Sequence, residues 1–200
     1  MYRKIKSAIF LLSAVLLFDA CSNTQQIQKS SLSLKKEQEL KLEAMKSIQI
    51  VGGTFEKTLN QKVKEGGLKS AADFCSTNAV ELEERVARVL DEGIKVKRVT
   101  NKPRNMKNSA NKDQLEVLDE INSRLLNGEK IDMLVKQKAT NHYQVYKPII
   151  MSAKCLNCHG TNKSRNLEAY NIILKKYPND KAINYNLGDL RGVFLVDIIK

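Results

Sequence analysis

Two hundred residues with a net charge of +12 and no Trp suffice for one domain with its own core, or a domain with a helical extension, and exclude two large units. The basic balance allows an anionic partner or a membrane surface, although a solvated face rich in Lys is the better account of it. The chain contains no short internal repeat.

Arg3, Lys4 and Lys6 precede an apolar run from Ala8 to Phe18. That run is a signal-peptide core and falls short of the roughly 20 helical residues a bilayer span needs. Ala20 followed by Cys21 has the form of a lipoprotein cleavage site, with Phe18 where Leu is usual and Asp19 where a small residue is usual. Residues 1–20 are therefore expected to be a lipoprotein-type signal peptide, cleaved before Cys21, which takes the lipid and tethers the protein to a membrane. Ordinary secretion or an uncleaved anchor are the rivals. An exported, periplasm-facing or outer-surface location makes nucleic acid an unsuitable partner. Residues 22–33 are polar and read as a flexible tether, reaching up to roughly 40 Å when extended.

Residues 34–200 read as one α+β domain. From Leu34 the apolar positions Met45, Ile48, Val51, Phe55, Leu59 and Val63 recur three or four apart, as on a helix face. Gly52-Gly53 interrupts that stripe and is expected to kink or weaken the helix, and Gly66-Gly67 ends it. A second helix is expected from Ser70, with Asp73 three positions on, to about Asp91; the two form an antiparallel hairpin. Its inward side is Ala72, Cys75, Ala79, Leu82, Val86 and Val89. Cys75 reads as a small core side chain, yet an unpaired thiol is a liability in an exported protein and a thiolate is a good iron ligand.

Ile94–Val99 alternates as a strand. Residues 100–112 form a loop and Asp113–Leu126 a helix with Leu115, Leu118, Ile121 and Leu125 inward. Met133–Ala139 and His142–Met151 read as strands, with Pro148 marking an edge or an end. Leu167–Tyr177 is a helix stopped by Pro178, and Gly192–Ile198 a terminal strand. Helices first, then strands interleaved with short helices, signal an antiparallel sheet.

Between the third and last of these strands stands Cys155-Leu-Asn-Cys158-His159. Two thiols three positions apart can each form a thioether to a haem vinyl group, and the adjoining imidazole can bind the iron, so one covalent c-type haem is the expected cofactor. A reducible disulfide or half of a zinc site are the plainer explanations. Small class I cytochromes are all helical and carry this motif near their start, unlike this chain.

Ala71-Ala-Asp-Phe-Cys75, Arg98-Val-Thr-Asn-Lys-Pro-Arg104-Asn105, Tyr146-Lys-Pro-Ile-Ile, Cys155-Leu-Asn-Cys-His-Gly160, and Tyr177-Pro-Asn-Asp-Lys-Ala182 running on to Gly188-Asp-Leu-Arg-Gly192 follow in order. Together they resemble a family of bacterial exported single-haem proteins with a PAS-like fold, whose c-type haem is bound by the motif His on one side and a Cys on the other. Met106 stands where that family usually has Pro. The resemblance implies that His159 and Cys75 are the axial iron ligands, and that the fold is a PAS-like antiparallel sheet behind a long N-terminal helical hairpin. His142 and the Met residues are the competing ligands. Arg98, Arg104 and Arg191 are candidate contacts to the haem or its propionates, and equally surface charges or structural salt bridges. Tyr146 is a candidate haem contact or a core residue.

A thiolate opposite His favours ferric iron and a low potential. The leading expectation is a membrane-tethered sensor of redox state or a diatomic gas, in which Cys75 is displaced from iron, with any signal passed to a separate protein. The alternative is a low-potential periplasmic electron carrier with a redox partner. The long first helix is a candidate homodimer or partner surface. A haem-free adhesive lipoprotein is a third class, and no catalytic constellation beyond the haem suggests an enzyme.

Overall fold

The computed structural model describes residues 32–200. The expected signal peptide, Cys21 and most of the tether lie outside the described residues. Ser33 caps the first helix, its hydroxyl accepting from the Lys36 N–H at 3.3 Å, which satisfies one donor that the first helical turn leaves free. No helix among the described residues is long and apolar enough to cross a membrane.

Helix α1 (Leu34–Thr77) is two arms joined at Gly66 (φ −151°, ψ 23°) and Gly67 (φ 67°, ψ −160°). Glycine takes the positive φ of Gly67 without the Cβ clash any other L-residue meets. The chain reverses there: the Phe55 and Phe74 ring centroids lie 5.9 Å apart, whereas a straight helix would hold them about 28 Å apart. The expected hairpin thus forms, but its second arm occupies 68–77. Ser70 lies inside that arm and does not cap it. The arm stops at Asn78, where the Asn78 N–H donates to the Phe74 carbonyl, and a separate helix α2 (Ala79–Ala87) follows. The expected continuous stripe fails beyond the break, with Ala79 buried and Val89 exposed.

Gly52-Gly53 does not kink the first arm. Gly52 is buried in regular helix, and a Cβ there would meet the Phe194 ring at 2.7 Å. Its bareness lets the helix approach the sheet closely.

The sheet has four antiparallel strands, β1 (Ile94–Val99), β2 (Leu134–Ala139), β3 (His142–Ile150) and β4 (Leu190–Ile199), in the order β1-β4-β3-β2. Alternation sends side chains to both faces, and both are covered. On one face Ile94, Tyr143, Val145, Val196 and Ile198 pack beneath Leu40, Ala44 and Ile48 of the first arm. On the other, Val99, Tyr146, Val193 and Leu195 pack against Val117, Leu118 and Ile121 of α3 (Lys112–Leu126). Each such fully buried aliphatic side chain contributes about 1.5–3 kcal/mol. Leu115, expected inward, is exposed, and Val117 takes its place. Asn111 and Gln114 cap α3 reciprocally. Although β3 is central, Pro148 lies beyond the reach of β2, whose pairing ends at Leu134 opposite Tyr146. The proline therefore removes no donor that β2 needs.

Two short helices complete the domain, α4 (Leu156–His159) just after β3 and α5 (Leu167–Lys176). Ala72 of the second arm packs on Ala169, Tyr170 and Ile173 of α5, with Leu68 and Cys158 at the border. The second arm is therefore docked beside the Cys155–His159 motif.

Candidate cofactor site

The motif sits on one turn of helix. A 3-10 turn at Ala153–Cys155 runs into α4, so Cys155 and Cys158 are separated by three positions on the same helical face. Cys75, Cys155 and Cys158 are all free thiols. Ser152 Oγ lies 3.1 Å from Cys155 Sγ. Burial among the α5 and second-arm side chains pushes the Cys158 thiol up, partly offset by Arg104.

His159 is held by its backbone and by one ring nitrogen. Its carbonyl accepts from the Tyr185 N–H at 3.1 Å, and the Gly160 carbonyl accepts from the Asn184 N–H at 3.0 Å. Its Nδ1 lies 2.7 Å from the Ala182 carbonyl, to which it donates. A carbonyl cannot donate in return, and Arg104 Nη2 is farther from the same nitrogen at 3.4 Å, so the shorter contact sets the tautomer and leaves Nε2 with a free lone pair. Burial, then the Arg104 and Arg191 guanidinium groups, hold the imidazole pKa well below its ordinary value, so the ring is neutral. The Tyr185 ring meets it edge-on at 6.4 Å.

Asp180 stands behind this arrangement. Its Oδ1 accepts from the Ala182 N–H at 2.8 Å and its Oδ2 from Arg104 Nε at 3.0 Å. Arg104 Nη2 in turn donates to the Cys158 carbonyl at 2.9 Å. One buried carboxylate therefore ties the carbonyl that orients His159 to the cation that grips the neighbouring peptide. In the sequence Asp180 and Ala182 stand in the Tyr177-Pro-Asn-Asp-Lys-Ala182 run. The available signal was an Asp whose side chain can bond an N–H two residues on, a standard turn device.

Arg191 Nη1 donates to Thr100 Oγ1 at 3.0 Å and to the Lys102 carbonyl at 3.2 Å. Lys102 Nζ, 4.1 Å over the Tyr185 ring, donates to the Ile183 carbonyl at 2.7 Å. These two cations brace the segment that carries Ala182 and Tyr185. Arg98 lies on the Cys75 side of the site, 2.9 Å from Glu83 and with its guanidinium carbon 4.6 Å from the Phe55 centroid.

Cys75 occupies the last turn of the second arm. Burial pushes its thiol up to about 11, opposed by Arg104 and Arg98 and reinforced by Cys158 and Glu83. Cys158 and Arg104 act on it because the arm lies against the motif. On its outer side Cys75 borders a cleft of about 250 Å³, shared with Ser76, Ala79, Asn105 and Tyr177.

The structure thus brings Cys155, Cys158, His159, Arg104 and Arg191 together, with Cys75 and Arg98 adjoining. It does not bring Tyr146: that ring is buried on the α3 face of the sheet, its hydroxyl donating to Gln144 Oε1 at 2.7 Å. His142 of β3 pairs with Asp197 of β4 at 2.5 Å. Met106 is exposed and Met133 and Met151 are buried. Among the described residues no three His, Cys, Asp or Glu side chains converge as a metal cluster.

The donor set suits a c-type haem. Two thiols share one helical face, an imidazole offers Nε2, and a further thiol lies next to the motif on another element.

The crystal structure of the cyanobacterial heme-protein Tll0287 has a similar fold, with a TM-score of 0.56 over 84% of this chain and 98% of that one, at 20% identity. No curated protein matches the chain. The sequence model of the Tll0287-like family matches residues 19–198, and the chain belongs to that family.

Proposed function

We propose that this chain is a haem protein that carries one haem c on Cys155 and Cys158, with His159 and Cys75 as axial ligands, and acts as a sensor of redox state or of a diatomic gas. The observation that carries the proposal is the His159 Nδ1–H bond to the Ala182 carbonyl, which leaves Nε2 free for a metal, as a carbonyl behind a ligating imidazole does. The structural relative, a heme-protein by its description, supports it. The PAS-like assignment, the lipid tether at Cys21, the periplasm-facing or outer-surface location and a non-enzymatic role belong to the same proposal, as does a signalling partner or a homodimer through the first arm.

The haem would supply an iron able to change oxidation state and to bind small molecules. The protein's part is to hold two unlike ligands. His159 is neutral and anchored. Cys75 would have to bind as a thiolate, against the burial that favours its protonated form, and would therefore be the more readily displaced of the two ligands. Release would leave the second arm to shift at its two ends, Gly66–Gly67 and Asn78.

Cys75→Ala tests the assignment. The ferric spectrum is expected to lose its thiolate features while denatured protein keeps covalently attached haem; an unchanged ferric spectrum would end the assignment of Cys75. The electron-carrier alternative draws on the dense bonding around His159, which resists rearrangement. A ferrous wild-type spectrum that stays six-coordinate and ignores CO would favour it over the sensor.

A further inference from the structure

Four elements meet beside Cys75 through one side chain. Arg98 leaves β1 on the face that carries Ile94, and its Nη2 lies 2.9 Å from Glu83 Oε1 of α2. Its guanidinium covers the Phe55 ring of the first arm at 4.6 Å. Phe55 meets Phe74 of the second arm at 5.9 Å between centroids, with the rings inclined at 33°. Phe74 is 5% exposed and directly precedes Cys75. Arg98 Nε and Glu83 Oε1 are buried without hydrogen-bond partners among the described residues. The Arg98–Glu83 contact is thus a partly buried ion pair.

We propose that Arg98 is a positioning residue for Cys75, clamping the second arm to the first through the Phe55–Phe74 stack and so restraining the departure of the thiol from the motif side. The inference rests on the reading of Cys75 as an iron ligand. It gives Arg98 a task other than a propionate contact, since its guanidinium is already committed to a carboxylate and an aromatic face. A planar guanidinium can stack on a ring while pairing sideways with a carboxylate; the compact ammonium of Lys cannot do both. Phe55 and Phe74 are the remaining links, since one touches the cation and the other precedes the ligand.

The test uses the full chain with Cys21→Ser and haem attached, as judged by retained haem absorption after denaturation. With Cys155 and Cys158 blocked as thioethers, Cys75 is the thiol left to label. Two rates are read: iodoacetamide labelling of Cys75, located by mass spectrometry in the ferric and CO-ferrous forms, and CO binding to ferrous protein. Arg98→Met and Arg98→Lys are both expected to raise each rate about tenfold, the worth of one partly desolvated cation–π contact. Arg98→Lys behaving as wild type would overturn the proposal, because charge alone would then suffice. Should Arg98→Met fail to accumulate folded protein, Phe55→Leu carries the test: it keeps apolar volume and loses the stacking face, and unchanged rates there would also overturn it. Equal labelling of wild-type Cys75 in the two forms would sink Cys75 as ligand, while the effect of Arg98 on labelling would still be read from the variants.

Discussion

The two sides from which an iron would be held are built differently. On the His159 side every peptide is fastened: Tyr185 N–H to the His159 carbonyl, Asn184 N–H to the Gly160 carbonyl, Arg104 to the Cys158 carbonyl, and Asp180 behind both Arg104 and Ala182. On the Cys75 side the thiol rides a helical arm of about three turns between the Gly66–Gly67 reversal and the Asn78 break. That arm is held by apolar and aromatic packing and borders an open cleft. Directional bonds in a buried site have one good geometry, whereas packed side chains can slide. The difference suits a device with one permanent ligand and one that leaves.

The comparison breaks most readily at Asp180. Asp180→Ala leaves Arg104 buried without its carboxylate and the Ala182 N–H without its acceptor. Removing one member of a buried pair costs about 3–5 kcal/mol, read as a lower urea midpoint at unchanged slope. A cost below about 1 kcal/mol, the range of an exposed pair, would mean that the His159 side is not the stiff one.

The arm's hinge gives a smaller, two-signed effect. Gly67→Ala forces an L-residue to φ 67°, ψ −160°, a region open essentially to glycine alone, and is expected to cost about 1–3 kcal/mol. Gly53→Ala, on the open side of regular helix where an added Cβ meets nothing, is expected to gain about 0.5–1 kcal/mol. Urea titrations of both variants check the pair. Stabilisation by Gly67→Ala would mean that the arm does not reverse at that residue.

The strands and the hairpin were legible because period-two alternation and Gly-Gly punctuation are local signals. β1 fell on Ile94–Val99 as read, and α3 within one residue. The faces were harder to assign. Both sides of the sheet are covered, so Tyr143 and Tyr146 look alike in sequence, yet one packs under α1 and the other under α3. Leu115 and Val117 exchanged roles on α3 because the contact line of a short helix can rotate by one position without spoiling its apolar spacing. At the site, the thiols and imidazole announce themselves as a motif. The Asp180 hub does not, because it joins Arg104, Ala182 and His159 across a separation of 76 residues. Gly52 was misread for a related reason: its neighbour, the Phe194 ring, lies on the last strand.

The finest probe of the loose side is the charge of Glu83, which faces Arg98. Burial raises its carboxyl above the ordinary value of 4.5, and Arg98 opposes that rise without cancelling it. A carboxyl whose folded pKa is raised binds its proton more tightly folded than unfolded. Its contribution to stability is therefore present below pH 4.5 and lost as pH climbs through the folded value. Glu83→Gln has no proton to lose. Its stability relative to wild type should accordingly improve as pH rises from about 4 through the raised value, read as the difference between urea midpoints across that interval. An opposite slope, with wild type gaining as Glu83 ionises, would mean that attraction to Arg98 outweighs burial. The clamp on the Cys75 arm would then be electrostatic more than aromatic, and Arg98→Lys would retain much of it.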